Sequence, residues 1–134
     1  MNVTRNGAEH RVAVLGASPK PDRYSNLAVR TLQEHGYTVI PVHPAHDEIE
    51  GLQVAPRIGS IPGHVDTLTV YVGPRNVEPL IEEIVALRPG RVIFNPGAES
   101  PALERRLQEE GIPYLEACTL VMLSTGQFAT RIAS

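Results

Sequence analysis

The sequence predicts one α/β domain, a Rossmann-like three-layer fold built on a five-stranded parallel sheet with strand order 3-2-1-4-5. Three observations carry this. Short apolar runs alternate with stretches whose apolar residues recur at helical spacing. Those runs are nearly continuous rather than alternating, as expected of strands covered on both faces. Glycine or proline separates successive elements.

The first strand is expected from Val12 to Leu15, ending in a tight turn at Gly16. A polar loop then feeds a helix starting near Tyr24 or Ser25, with Leu27, Ala28 and Leu32 at helical spacing and Gly36 as its stop. The second strand, Tyr37 to Val42, contains Pro41, which cannot donate to a ladder and is tolerable only near a strand end. Residues 43–65 hold Pro44, Pro56, Pro62, Gly51, Gly59 and Gly63, so at most one helical turn is expected there, around Arg57 to Ile61. The stretch is still long enough for a right-handed crossover.

A third strand is expected over Thr67 to Val72, ending at Gly73-Pro74. The clearest helix follows: Val77, Leu80, Ile81, Ile84 and Val85 share one face, Glu78, Glu82 and Glu83 the other, with Pro79 in the first turn. Pro89-Gly90 ends it. A fourth strand, Arg91 to Asn95, runs into Pro96-Gly97. Ser100 and Pro101 then form an N-cap and first position for a helix carrying Ala102, Leu103 and Leu107 inward and closed by Gly111. The fifth strand, Tyr114 to Ala117, leads to Cys118 and the apolar run Leu120 to Leu123.

With 134 residues the chain suffices for one sizeable core. Residues 1–10 read as a flexible N-terminal tail and 11–134 as a single domain. A formal net charge of −3 argues against nucleic acid or an acidic membrane as partner, so any positive field must be local. One cysteine excludes an internal disulfide and fits a reducing compartment, and no signal-peptide run or membrane-spanning stretch is evident. The expected location is the cytoplasm.

In sheets of this kind ligands sit outside the carboxyl ends of the strands, where the strand order reverses. The expected strand ends are Gly16-Ala17-Ser18, His43-Pro44, Gly73-Pro74, Asn95-Pro96-Gly97 and Cys118. Backbone N–H groups at the first turn and helix start, with the positive end of the helix dipole, form an anion site. Lys20, the only lysine, and Arg23 lie in that loop, so a phosphate-bearing ligand is expected there. The loop lacks the glycine spacing of a nicotinamide dinucleotide site, and His43 stands where an acidic ribose partner would fall. Walker-loop spacing is absent as well. An NAD(P)-binding module and a nucleotide hydrolase are therefore demoted.

At this point the chain resembles a known family. Val-Ala-Val-Leu-Gly-Ala-Ser-Pro-Lys-Pro-Asp-Arg at 12–23, His-Gly-Tyr-Thr-Val-Ile-Pro-Val at 35–42 and Glu-Ile-Glu-Gly at 48–51 look like the small CoA-binding proteins. These are similar to the CoA-binding domain of the succinyl-CoA synthetase alpha subunit. The resemblance runs from about Arg11 to Phe128. It implies coenzyme A or an acyl-CoA lying across the strand ends. Gly16, Ala17, Ser18, Lys20 and Arg23 would surround the phosphates, and His43-Pro44 and Gly73-Pro74 would flank the nucleotide and pantetheine. Family members often have Asn-Pro-Lys after the second strand, whereas this chain has His43-Pro44-Ala45. A lysine for the ribose 3′-phosphate is thus missing; His46 is a substitute, but a neutral imidazole is a poorer partner near pH 7. The chain also lacks the synthetase domain that carries the phosphorylated histidine, so no ligase activity is inferred.

Asn95 offers a hydrogen bond to the ligand, and Cys118 is the sharpest catalytic candidate because it should sit at the crevice mouth. An inert buried cysteine is the favoured reading, since a reactive thiolate needs a cation or a helix N-terminus beside it. His43, His46 and Asp47 lack a recognised metal-ligand spacing and read as a solvated loop. Asp22 reads as orienting Arg23 or capping the helix. Leu120 to Leu123 is most simply core, with a homodimer contact as the lesser reading. The leading expectation is non-catalytic binding of coenzyme A or an acyl-CoA. The alternatives are a Cys118-dependent enzyme on a nucleotide-linked or acyl substrate, and an interaction protein whose crevice is empty.

Overall fold

The computed structural model describes residues 2–4, 9–129 and 131–133. In chain order the strands and helices are β1 (Asn2–Thr4), β2 (Arg11–Leu15), α1 (Tyr24–Glu34), β3 (Thr38–Val42), β4 (Glu48–Ile49) and β5 (Leu52–Gln53), followed by a 3-10 turn at Ile58–Ser60. Then come β6 (Thr67–Val70), α2 (Pro74–Val77), a 3-10 turn at Glu78–Leu80, α3 (Ile81–Leu87), β7 (Arg91–Phe94), α4 (Pro101–Glu110), β8 (Tyr114–Glu116), α5 (Thr119–Ser124) and β9 (Arg131–Ala133). No helix among the described residues is long and apolar enough to cross a membrane.

Five parallel strands form the central sheet in the order β3-β2-β6-β7-β8, as the Rossmann-like class requires. One placement differs from the sequence expectation. The strand at Thr67 does not lie outside the second strand but pairs with the first, Val12 opposite Thr67. The outer third place is held by a single parallel bridge between Val42 and Ala55. There the Ala55 N–H donates to the Pro41 carbonyl (2.9 Å) and the His43 N–H to the Ala55 carbonyl (3.1 Å). Counted with that bridge, the order is the 3-2-1-4-5 pattern carried one strand further. Prolines and glycines on both sides of Ala55 prevent its extension into a full strand. Pro41 fits because its backbone faces this outer edge, where a missing N–H leaves no inner ladder bond broken.

Alternate residues of β2 feed two cores. Ala13 and Leu15 pack with Ile58, Val77, Ile84, Leu103 and Leu107 on the α2–α4 side. Val12 and Val14 pack with Val29, Leu32, Met122, Leu123 and Phe128 on the α1–α5 side. This is the three-layer arrangement expected of continuous apolar strands. Leu32, Leu103 and Leu107 are fully buried, each stabilising the fold by about 2 kcal/mol.

The helix expected through Val77 and Val85 is broken. Pro79 has no N–H to donate, so the chain passes through a 3-10 turn at Glu78–Leu80 between α2 and α3. The apolar run at 120–123 forms α5, which buries Met122 and Leu123 and leaves Val121 exposed. Ser100 caps α4 as expected, its Oγ accepting from the Leu103 N–H at 3.2 Å. Of the loose segment expected over residues 1–10, position 1 and positions 5–8 lie outside the described residues. Within the rest, β1 pairs antiparallel with β9, and His10 is buried against Tyr37 and Phe128.

Glu104 on α4 faces Glu116 at the end of β8. Burial, a hydrogen bond to Glu116 and the charges of Glu116 and Glu99 raise its carboxyl from 4.5 to about 7. A folded-state pKa above the unfolded one means this contribution is complete below 4.5 and lost as pH rises through about 7. Glu104→Gln keeps a hydrogen-bond donor toward Glu116 at every pH. Thermal melts are expected to show the variant more stable than the parent by about 1–2 °C at pH 8, with no advantage at pH 4. An equal shift at both pH values would show that the pair does not share a proton.

Candidate functional site

The carboxyl ends of the sheet strands open into one crevice of three connected chambers. The central chamber, of about 540 Å³, lies against Gly16, Ser18, Lys20, Arg23, Ser25 and His46. It shares Gly16, Ser18 and His43 with a chamber of about 690 Å³ under the loop from Pro56 to Ile58. It shares Tyr24, Tyr71 and Pro96 with a third, of about 310 Å³, that reaches Asn95, Cys118 and Leu120. The two outer chambers are lined mainly by carbon, whereas the central one is about equally polar and apolar and carries Lys20 and Arg23.

Gly16 makes the crevice. Its φ is +85°, and a Cβ there would lie 2.7 Å from Val72 Cγ1. Only glycine lets β2 turn this tightly beside the neighbouring strand. The sequence expectation that the turn's own amides are free for an anion does not hold for Gly16 and Ala17. The N–H groups of both Gly16 and Ala17 donate to the Val42 carbonyl, at 3.2 and 3.3 Å. They fasten β2 to β3 instead. The donors that remain include the Ser18 N–H and those opening α1, whose N-cap Arg23 provides no side-chain cap and whose first turn carries no acidic residue. Asp22, expected to cap or orient, makes no cap.

The loop that carries Lys20 is held from α1. Asn26 is fully buried, and its Nδ2 donates to the Ser18 carbonyl (2.9 Å) and to Glu50 Oε2 (3.0 Å). Arg30, one turn on, donates through Nε to Asn26 Oδ1 (2.8 Å) and through Nη2 to the Pro21 carbonyl (3.1 Å). The Lys20 N–H donates to Ser18 Oγ at 3.1 Å. Lys20 and Arg23 are thereby presented from a fixed backbone while their side chains stay exposed.

His43 stands between the first two chambers. Its Nδ1 accepts from the Ala45 N–H at 2.9 Å, and its ring lies 4.4 Å from that of His46. Burial and then the proximity of His46 lower its pKa, so it is neutral at pH 7. Pro44 and Ala17 line the chamber under Pro56. Gly73 and Pro74 open α2 next to Val72 and Asn76, which face that chamber, but neither is itself part of its wall.

Asn95 is a brace more than an open donor. Its Nδ2 donates to Thr69 Oγ1 (2.7 Å) and the Val70 carbonyl (2.9 Å), and its Oδ1 accepts from the Thr119 N–H (2.9 Å). The Thr69 and Thr119 hydroxyls bond each other at 2.8 Å. This buried network fixes the start of α5 and hence Cys118, its half-buried N-cap. Beside it the Tyr71 hydroxyl is buried and makes no hydrogen bond of ordinary geometry. Burial, with the Cys118 thiol adjacent, pushes its pKa up to about 12 against the opposing effect of the Thr119 and Thr69 hydroxyls.

Sequence reasoning missed Tyr24, Tyr71, Asn26, Arg30 and Arg57. Tyr71 was hidden by the misplaced strand, since only a strand beside β2 puts its carboxyl end over Gly16. Asn26 and Arg30 carried a readable signal, a polar pair four apart on an otherwise apolar helix face.

Residues 10–124 match the protein family described as CoA binding domain. Over 75 residues the chain is 33% identical to the uncharacterized protein YneT of Bacillus subtilis, a match covering 56% of each. Over 104 residues it is 33% identical to acetate–CoA ligase (ADP-forming) I of Archaeoglobus fulgidus, covering 73% of this chain and 15% of the ligase. It thus spans about half of the first relative and a small part of the second. The crystal structure of an uncharacterized protein superposes with a TM-score of 0.83 at 43% identity, covering 90% of this chain and 99% of that one.

Proposed function

The chain belongs to the family of CoA binding domains, and from that premise we propose that its crevice binds coenzyme A or an acyl-CoA without itself catalysing a reaction. One observation carries the reading. The chambers run apolar, cationic, apolar along the strand ends, the same order as the adenosine, diphosphate and pantetheine arm of coenzyme A. The adenine packs between Val42, Pro44 and Val72. The diphosphate sits against the opening turn of α1, with Lys20 and Arg23 as its counter-charges. The pantetheine passes Tyr24 and Tyr71 toward Pro96 and Cys118. A cytoplasmic location belongs to the same reading, since that is where such a thiol ligand and a lone free cysteine stay reduced.

Each charge-assisted contact to a phosphate contributes about 1.5 kcal/mol in a partly exposed site. Lys20→Ala combined with Arg23→Ala is therefore expected to weaken coenzyme A binding about a hundredfold. Both side chains are exposed, so the melting temperature should move by less than about 2 °C. Calorimetric titration checks this, and unchanged affinity in the double variant would refute the placement of the diphosphate.

A further inference from the structure

Coenzyme A carries a third phosphate, on the ribose of its adenosine, and in the proposed placement the diphosphate takes up the central chamber's cations. The chamber that takes the adenosine is walled mainly by carbon, and Arg57 is the only lysine or arginine among the described residues lining it. The position after Pro44 is Ala45, which brings no charge. His43, which also faces this chamber, is neutral at pH 7.

Arg57 is held in place but lightly engaged. Its backbone is locked to Ser60, whose Oγ accepts from the Arg57 N–H (3.3 Å) and donates to the Arg57 carbonyl (2.8 Å). Its guanidinium meets one partner, Glu83, with Nε 3.5 Å from Oε1. Its side chain is 66% exposed. An exposed pair at that separation contributes little and is readily exchanged for a better anion. A ribose phosphate offers a bidentate acceptor matched to the guanidinium fork. Glu83 keeps a second task, since Oε1 also accepts from the Gly59 N–H at 2.8 Å.

We infer that Arg57 is the specificity-determining residue for the ribose 3′-phosphate, distinguishing coenzyme A from its 3′-dephospho form. The inference rests on the coenzyme A reading of the crevice. Isothermal titration of the parent protein, Arg57→Gln and Glu83→Gln with coenzyme A and with 3′-dephospho-coenzyme A tests it. The parent should prefer coenzyme A by about tenfold. Arg57→Gln should erase that preference while leaving dephospho-coenzyme A affinity unchanged. Glu83→Gln removes the competing carboxylate, keeps an acceptor for Gly59, and should widen the preference. A preference that survives Arg57→Gln, or a parent with none, overturns the role of Arg57 while the crevice reading stands. A parent that binds neither ligand overturns both.

Discussion

Gly16→Val is expected to lower the melting temperature by about 10 °C and to abolish coenzyme A binding. Two costs combine. A β-branched residue at φ +85° is strained by about 1–3 kcal/mol, and its Cβ would stand 2.7 Å from Val72 Cγ1, an overpacking worth about 1–3 kcal/mol more. A total near 3 kcal/mol corresponds to roughly 10 °C in a domain of this size. The added side chain would also occupy the junction of the central chamber with the adenosine chamber. Gly90→Ala separates the two effects. Its Cβ would lie 2.7 Å from the Asp66 carbonyl oxygen, in the loop leading into β7 at the other end of the sheet. Differential scanning calorimetry should show destabilisation there too, with coenzyme A affinity retained. Loss of binding in both variants would mean that destabilisation alone explains the Gly16 result.

Asn95→Leu should cost about 2–3 kcal/mol although it preserves volume. The Val70 carbonyl keeps the Asn95 backbone N–H at 3.3 Å, and Thr69 keeps Thr119. The Thr119 N–H, buried at the start of α5, loses its acceptor outright. Urea unfolding measures the cost, and hydrogen exchange at Thr119 reports where it falls. A variant as stable as the parent, with Thr119 still protected, would show that the network is dispensable. Binding should weaken only through the pantetheine end, because Lys20 and Arg23 hang from α1 and do not touch this network.

Much of the fold was legible because the signals were local. Continuous apolar strands, Ser100-Pro101 at a helix start and Gly111 at its end each declare themselves within a few residues. The position of β6 did not, because a bridge of one residue at Ala55 fills a strand's place without a strand's pattern. The break at Pro79 is hidden for a related reason. The apolar face of 77–85 is real, yet a helix already begun at Pro74 cannot pass through it unbroken. At the site, Lys20 and Arg23 were readable as isolated charges in a loop. The engagement of the Gly16 and Ala17 amides with Val42 was not, because it depends on how closely β3 approaches. Arg57 escaped notice since its relevance comes only from the fold of the crossover over the adenosine chamber.

Determining the crystal structure with coenzyme A bound tests the central claim most directly. Expected is a diphosphate seated at the unshielded amino end of α1, flanked by the Lys20 and Arg23 side chains, with the thiol near Cys118. A ligand bound elsewhere on the surface, or one whose diphosphate leaves that helix end to solvent, would contradict it.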